Sequence, residues 1–192
     1  MRPDGPLTGR IVSVELLDER HREGLRGAAE AGLEIFRFMA WPGDFDRYFD
    51  EALASTTDVP FAVCVGGEPV GSTRYLNYLP EHRRVEIGWT WLRRSAWGTG
   101  ANVEAKLLLL EHAFERGGMQ RVEFKTDARN HQTRGSLLAL GARFEGIARK
   151  HMILPNGPRD SAWYAITDDD WPEVKERLLQ RLAAKRSNEG VD

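Results

Sequence analysis

The stretch from Arg84 to Leu92 alternates between apolar and polar positions more clearly than any other part of the chain. Because successive side chains of a strand point to opposite faces, a period of two predicts a β-strand. One face is expected to carry the four apolar residues Val85, Ile87, Trp89 and Trp91. The other face is expected to carry Glu86, Gly88 and Thr90.

The segment from Ala101 to Arg116 has a longer period. Its apolar residues recur every three to four positions, which predicts an amphipathic helix. Two glycines, Gly117 and Gly118, follow this segment and are expected to end the helix. The best strand of the chain is therefore joined to its best helix by residues 93–100.

The same patterns assign the rest of the chain. Further strands are predicted at 10–17, 61–65, 69–78, 121–126, 142–152 and 161–166. Further helices are predicted at 18–32, 45–55, 130–140 and from 168 to about 182, with Asp18, Asn130 and Gly141 at helix ends and a turn at 155–157. This order of elements indicates an α/β (α+β) protein, in which helices cover both faces of a mixed sheet.

Length and composition narrow the class of protein. The chain has 192 residues and a net charge of −2, from 27 basic and 29 acidic residues, which argues against nucleic acid as a partner. The apolar runs are far shorter than the roughly 20 residues of a membrane span, so no membrane partner is expected. With no apolar signal segment at its start, the protein is expected to be cytoplasmic. One domain is expected at 9–183, with flexible termini at 1–8 and 184–192.

Single residues that could carry other chemistry have ordinary explanations. Cys64 is the only cysteine, which excludes an internal disulfide and a multi-cysteine zinc site. It stands within an apolar strand and is expected to pack there as a small hydrophobic residue. The five histidines have no metal-ligand spacing, so no metal site is predicted.

The sequence Trp97-Gly98-Thr99-Gly100-Ala101-Asn102 contains two glycines directly before the predicted helix, which begins at Ala101. Glycine lets a backbone approach a ligand closely, and the free N–H groups of a first helical turn attract phosphate. The alternative interpretation is that these glycines form a tight turn between strand and helix and bind no ligand. The chain has no Gly-Lys pair for a Walker loop, and Val103 stands at the third glycine of a dinucleotide fingerprint.

This stretch resembles the phosphate-binding segment Gln/Arg-x-x-Gly-x-Gly/Ala of the GNAT acetyltransferases. Gly98 and Gly100 match its glycines, whereas Ser95 departs from the expected Gln or Arg. The chain is similar in particular to the RimJ/RimL-type branch over about residues 9–182. The resemblance rests on Glu86-Ile87-Gly88-Trp89, the glycine segment, Asn130-x-x-Thr133, Leu140-Gly141-Ala142 and Glu145-Gly146-x-x-Arg149.

The resemblance implies a GNAT fold, with a sheet of six to seven strands splayed at its central strands, and acetyl-CoA as cosubstrate. The arm of CoA would lie in the splay, and its pyrophosphate on the glycine segment. The residues that the resemblance assigns to CoA are Thr90, Trp91, Leu92, Gly98, Thr99, Gly100, Ala101, Asn102, Asn130 and Thr133.

Two catalytic roles follow from the same resemblance. Glu86 matches a glutamate regarded as a base that deprotonates the amine, although a solvated or salt-bridged strand glutamate is the alternative. Thr133 could donate a proton to the leaving thiolate or bind CoA, or be a surface threonine. Leu137 stands where many GNAT enzymes have a tyrosine as general acid, so Thr133, Ser136 or solvent must serve here.

The function implied is transfer of an acetyl group to a primary amine by direct attack, the acceptor being a protein N-terminus or a small amine. RimL-like proteins are often dimers, so a homodimer is included in this expectation. Two other functions stay open: a non-catalytic CoA-binding module on the same fold, and a nucleotide-binding protein that uses the glycine segment.

Overall fold

The computed structural model describes residues 1–154 and 157–189. Its helices are α1 Arg22–Glu30, α2 Phe45–Leu53, α3 Ala101–Glu111, α4 His131–Leu140 and α5 Trp171–Glu189. Its strands are β1 Leu7–Thr8, β2 Ser13–Leu16, β3 Val59–Val65, β4 Glu68–Leu79, β5 Arg84–Leu92, β6 Arg121–Asp127, β7 Arg143–Leu154 and β8 Gly157–Thr167. A π-helical turn, His112–Arg116, continues α3. The described part of the chain contains no helix with the length and apolar character of a membrane span.

All eight strands form one sheet in the order β1-β2-β3-β4-β5-β6-β8-β7. The pair β5 and β6 is parallel, and the other neighbours are antiparallel. The expected mixed sheet of the GNAT fold is confirmed, but the expected six to seven strands are too few. The additional strand is β1, whose Leu7 is buried and pairs with Val14 of β2.

Helices cover both faces of the sheet, as predicted. One face packs against α3, α4 and α5 through the larger apolar cluster, which includes Val85, Ile87 and Leu110. The other face packs against α1 and α2 through a smaller cluster, which includes Phe49 and Trp91. These two sides of the sheet are called the α3 face and the α1 face below.

The central strands separate after a short parallel ladder. Three residue pairs join β5 to β6: Arg84 with Arg121, Val85 with Val122, and Glu86 with Glu123. Beyond Glu86 no further pair joins the two strands in the described residues, although β5 continues to Leu92. The expected splay is therefore present, and it leaves facing backbone edges on both strands.

A β-bulge at Trp89 overturns the predicted face assignment of β5. Gly88 pairs with Arg74 of β4, whereas Trp91 pairs with Ser72, so β5 has one extra residue. Trp89 has φ +52°. As a result Trp91 packs on the α1 face while Val85 and Ile87 pack on the α3 face. A strict period of two cannot persist through such an inserted residue.

The bulge also separates the predicted polar face. Glu86 lies on the α1 face, since Val85 and Ile87 on either side of it point to the α3 face. The Thr90 hydroxyl instead contacts Lys106 of α3. The prediction that Glu86 and Thr90 share one face is therefore wrong.

Three of the predicted helix ends are confirmed. Asp18 caps the turn that precedes α1, and the Asn130 side chain accepts the Thr133 N–H at the start of α4 (3.0 Å). Gly141, with φ +106°, ends α4. Helix α5 continues to Glu189, beyond the predicted end near 182, and residues 190–192 lie outside the described residues. The predicted turn at 155–157 also falls largely outside them.

The segment before β2 is fastened to α3 by one carboxylate. Glu104, only 6% exposed, accepts three backbone N–H groups, from Arg10 (3.0 Å), Ile11 (2.6 Å) and Val12 (2.8 Å). Leu7 and Thr8 pair with the strand that follows this anchor, and the expectation of flexible residues 1–8 and 184–192 stays a prediction. The domain range 9–183 stays a prediction.

We expect Glu104→Ala to lower the free energy of unfolding by about 3–5 kcal/mol, because it leaves three backbone donors without a charged acceptor. Urea unfolding followed by circular dichroism measures the change. Glu111→Ala is the matched control, since Glu111 lies on the same helix and pairs with partly exposed Lys175. Its effect is expected to stay below about 1 kcal/mol. Equal losses in the two variants would contradict the anchor.

Candidate active site

The connection between β5 and α3 has an unusual backbone at both glycines of the predicted motif. Gly98 has φ +79°, and Gly100, which precedes the first turn of α3, has φ +97°. A Cβ on Gly100 would lie 2.9 Å from Ile11 Cδ1, whereas one on Gly98 would meet nothing within 4 Å. Packing therefore requires glycine at position 100, because a side chain there would collide with Ile11. Glycine at position 98 leaves open space in front of the loop.

The start of α3 keeps its amide groups available. No side chain of the described residues caps the helix at Gly100. The Thr99 hydroxyl accepts the Ala101 N–H (3.2 Å), but Asn102 and Val103 are in the first turn and have no acceptor within the helix. The loop thus provides N–H donors at the positive end of a helix dipole, which is the arrangement that binds phosphate.

One contact within this loop and two contacts with other parts of the chain hold it. The Trp97 indole donates to the Leu92 carbonyl (2.8 Å), and the Thr99 hydroxyl donates to the Ala96 carbonyl (2.8 Å). Lys185 of α5 donates to the Gly98 carbonyl. The loop is therefore fixed before any ligand binds.

The splay between β5 and β6 leads to this loop. Thr90, Trp91 and Leu92 lie along the unpaired edge of β5, where Trp91 and Leu92 are buried and Thr90 is partly exposed. On the other side, Asn130 and Thr133 begin α4, shortly after β6 ends. The candidate CoA residues therefore lie on the free edge of β5, in the loop at its end, and at the start of the helix that follows β6.

Lys106 was not predicted as a site residue. Its ammonium donates to the Thr90 hydroxyl (2.6 Å), which is 2.8 Å from the Thr73 hydroxyl, and it lies 5.9 Å from the ring of Phe124 on β6. It therefore reaches both diverging strands from the α3 face. Burial lowers the pKa of Lys106 to about 7. The signal in the sequence was a lysine directly before an apolar run of four leucines.

Glu86 lies on the opposite side of the same fork and is only 1% exposed. Its Oε2 accepts hydrogen bonds from Asn77 (2.8 Å) and from Lys125 of β6 (2.9 Å). Its Oε1 is on the side of Gly88, where an added Cβ would lie 3.1 Å away. Of the two ordinary alternatives, the salt-bridged glutamate is found and the solvated one is not.

Further polar and aromatic side chains surround the Glu86 carboxylate on the α1 face. Lys125 lies 5.3 Å from the Trp163 ring, and His151 packs edge-on against the same ring. Burial lowers the pKa of His151, and the charge of Lys125 acts in the same direction. Alternation along β6 predicts that Lys125 points to the sheet face opposite to that of Val122 and Phe124. The sequence does not show that β5, β6 and β8 bring their side chains together on that face.

The remaining candidate acid positions differ in their surroundings. Thr133 is partly exposed in the first turn of α4, and its N–H is used by Asn130. Leu137 is buried in the larger apolar cluster. Because a leucine side chain has no acidic proton, this position cannot supply the general acid.

One cluster of potential metal ligands was not foreseen. Glu15, His21 and Cys64 bring a carboxylate, an imidazole and a thiol within 4.8 Å of one another. The Asp18 N–H donates to His21 Nδ1 (3.2 Å), and His21 Nε2 lies 3.3 Å from Arg20 Nε and 3.4 Å from Glu15 Oε2, so both ring nitrogens already have partners in the protein. Burial raises the pKa of the Cys64 thiol to about 11. The hydrogen bonds and the protonated thiol therefore oppose metal binding.

Comparison with known proteins agrees with this architecture. Residues 16–143 match the model of the acetyltransferase (GNAT) domain, so the chain belongs to the GNAT acetyltransferase family. As such it is an N-acetyltransferase of the α/β class. No curated protein matches the chain.

Several solved structures are similar over nearly the whole chain. A protein from T. thermophilus assigned as an acetyltransferase is 35% identical and has a TM-score of 0.86, with 95% of this chain and 99% of that one covered. A GCN5-related N-acetyltransferase from Brucella melitensis is 27% identical, with a TM-score of 0.89 and coverages of 94% and 86%. RimJ of Mycobacterium smegmatis, in complex with CoA-disulfide, shares the fold at 22% identity, with a TM-score of 0.79 and coverages of 92% and 97%.

We expect Lys106 to make the protein more stable as pH rises from about 7 to about 10. Its pKa is about 7 in the folded protein and about 10.4 in an unfolded chain, so the unfolded state binds more protons in this window. The unfolding free energy of wild type minus that of Lys106→Met, measured in urea at several pH values, should become more positive as pH rises.

Lys150→Met is the control, because Lys150 is an exposed lysine of β7. It shows how much of any pH dependence comes from removal of a lysine as such. Equal pH dependence of the two variants would mean that Lys106 keeps an ordinary pKa.

Proposed function

We propose that this protein is an acetyl-CoA-dependent acetyltransferase of the RimJ/RimL type, which transfers the acetyl group to a primary amine by direct attack. The observation that carries the proposal is the gap between β5 and β6, which ends at the glycine loop and the uncapped start of α3. The acceptor is a protein N-terminus or a small amine. The proposal includes a cytoplasmic location and a homodimer.

Binding of the cosubstrate follows from the unpaired groups. The two amides of the pantetheine arm pair with the free backbone edge at Thr90, Trp91 and Leu92. The pyrophosphate lies on the amides from Gly98 to Asn102, and Asn130 and Thr133 contact the arm from the opposite wall. The CoA-disulfide complex of the M. smegmatis protein supports this use of the fold.

Catalysis needs removal of a proton from the amine and stabilisation of the carbonyl oxygen. Glu86 takes the proton, directly or through water, as the amine nitrogen bonds to the carbonyl carbon. A backbone N–H near Trp91 or Leu92 donates to the oxygen as negative charge develops on it. When the C–S bond breaks, the electron pair leaves with sulfur.

Protonation of the leaving sulfur places little demand on the protein. A free thiol has a pKa of about 8.5, so a thiolate is a stable leaving group near neutral pH. Thr133, Ser136 or solvent supplies the proton, since the position of the usual tyrosine is Leu137.

We expect Gly98→Val to weaken CoA binding at least about tenfold while the protein stays folded. A β-branched residue resists φ +79° and fills the open space where phosphate approaches, and one lost hydrogen bond to a charged group is worth about that factor. Calorimetric titration with CoA measures the affinity.

Gly67→Val is the matched control, because Gly67 has φ +84° and open space in the turn between β3 and β4. It introduces the same backbone strain far from the loop and should bind CoA like wild type. Native affinity of Gly98→Val would place the phosphate site elsewhere. ATP that competes with CoA at equal affinity would favour the nucleotide-binding alternative.

We expect Glu86→Gln to lower turnover by roughly 10²–10⁴-fold, because general base catalysis contributes about that factor. CoA affinity should change little, and the acidic limb of the pH profile should flatten. Steady-state rates on a panel of primary amines, with CoA binding measured beside them, test the proposal.

Glu123→Gln is the matched control, since Glu123 pairs with Glu86 in the ladder, is also buried, and is held by Arg84 (3.0 Å) and Arg121 (2.8 Å). It should retain turnover. Equal rates for Glu86→Gln and wild type would remove Glu86 as base. CoA binding without turnover on any amine would favour the non-catalytic module.

A further inference from the structure

The α1 face of the sheet holds an arginine with no carboxylate in hydrogen-bond contact within residues 1–154 and 157–189. Arg159 of β8 is only 7% exposed. Among the described residues, its Nε has no hydrogen-bond acceptor, and its Nη1 makes one long contact, with the Phe38 carbonyl at 3.4 Å. The edge formed by Nε and Nη2 is therefore unused.

The carboxylates near Arg159 are already held by other groups. Asp127 receives Nε (2.9 Å) and Nη2 (2.8 Å) of Arg129. Glu86 receives Lys125 and Asn77. Arg129 and Lys125 are thus paired with these two carboxylates, whereas Arg159 makes no hydrogen bond to either of them.

Burial of this unpaired charge is unfavourable. Burial lowers the pKa of Arg159, while the charges of Asp127 and Glu86 act in the opposite direction. A buried charge is tolerated when a partner of opposite sign is in contact with it, and here such a partner is missing from the described residues. An anion bound at this edge would supply it.

We infer that Arg159 binds a carboxylate of the acceptor, so that the substrate is a primary amine whose molecule also carries a carboxylate. This inference rests on the proposed function, because it assigns the acceptor to the side of the sheet where Glu86 lies. Phe38, whose carbonyl contacts Nη1, belongs to the connection between α1 and α2, so this connection lies beside Arg159.

The chemistry of the site favours a carboxylate over a phosphate ester. Two parallel N–H groups of a guanidinium match the two oxygens of a carboxylate. A carboxylate has one negative charge, which balances the single charge of Arg159. A phosphate monoester has about −1.5 to −2 at pH 7 and would leave negative charge buried.

The first test measures binding without turnover. N-acetylglycine and N-acetylglycinamide are the probes, since they differ only in that the carboxylate of the first is an uncharged carboxamide in the second. With CoA present, calorimetry on wild type should give at least about tenfold tighter binding of N-acetylglycine, the worth of one charged hydrogen bond. N-acetylaminomethylphosphonate has a phosphonate in place of the carboxylate of N-acetylglycine. If it binds more tightly than N-acetylglycine, the ligand is a phosphate-like anion and the carboxylate is ruled out.

Two variants separate a binding role from a structural one. Arg159→Met should abolish the preference for N-acetylglycine and leave the unfolding temperature equal or higher, because it removes an unpaired buried charge. Arg143→Met removes an arginine that is paired with Asp170 at the other end of the hairpin, and should keep the preference. A lower unfolding temperature of Arg159→Met would indicate a structural role and overturn the inference.

The second test uses acceptors in matched pairs of free acid and amide. Higher kcat/KM for the acids, lost in Arg159→Met, supports the inference. Equal binding of the two probes, or no binding of either, overturns it even where amines are acetylated. If the carboxylate probe binds through Arg159 but no amine is acetylated, the inference about the anion stands and the proposed function fails.

Discussion

The parallel ladder between β5 and β6 stops after three residue pairs, and the candidate site depends on this break. Backbone groups that leave a ladder need other partners, so the two edges beyond Glu86 form a slot for a ligand that has amides of its own. Side chains hold the fork on both faces of the sheet. Glu86 and Lys125 join the strands on the α1 face, and Lys106 reaches Thr90 and Phe124 on the α3 face.

Local patterns predicted most of the fold, because the elements are regular in themselves. Each predicted helix and strand has a counterpart in the structure, and the helix ends at Asp18, Asn130 and Gly141 follow from the chemistry of capping. Two features were missed. Strand β1 is too short to show a period, and the bulge at Trp89 is set by pairing with β4, which alternation within β5 cannot reveal.

The candidate site was predicted in the parts that depend on neighbours in sequence. Gly98 and Gly100 have the positive φ that their place before a helix suggested. Lys125 and Arg159 were missed because their roles come from contacts across strands, and each has an ordinary place in its own strand. Lys106 was missed for a related reason, since a lysine in an amphipathic helix usually points to solvent.

Precise placement of the glycine loop depends on parts of the chain that are distant in sequence. Ile11 packs where a side chain on Gly100 would lie, and Glu104 holds the backbone of residues 10–12 against the first turn of α3. A loop that binds phosphate through backbone N–H groups has no side chains to adjust, so its geometry must be set before the ligand arrives. The N-terminal segment therefore acts as a support of the site through its apolar and backbone contacts.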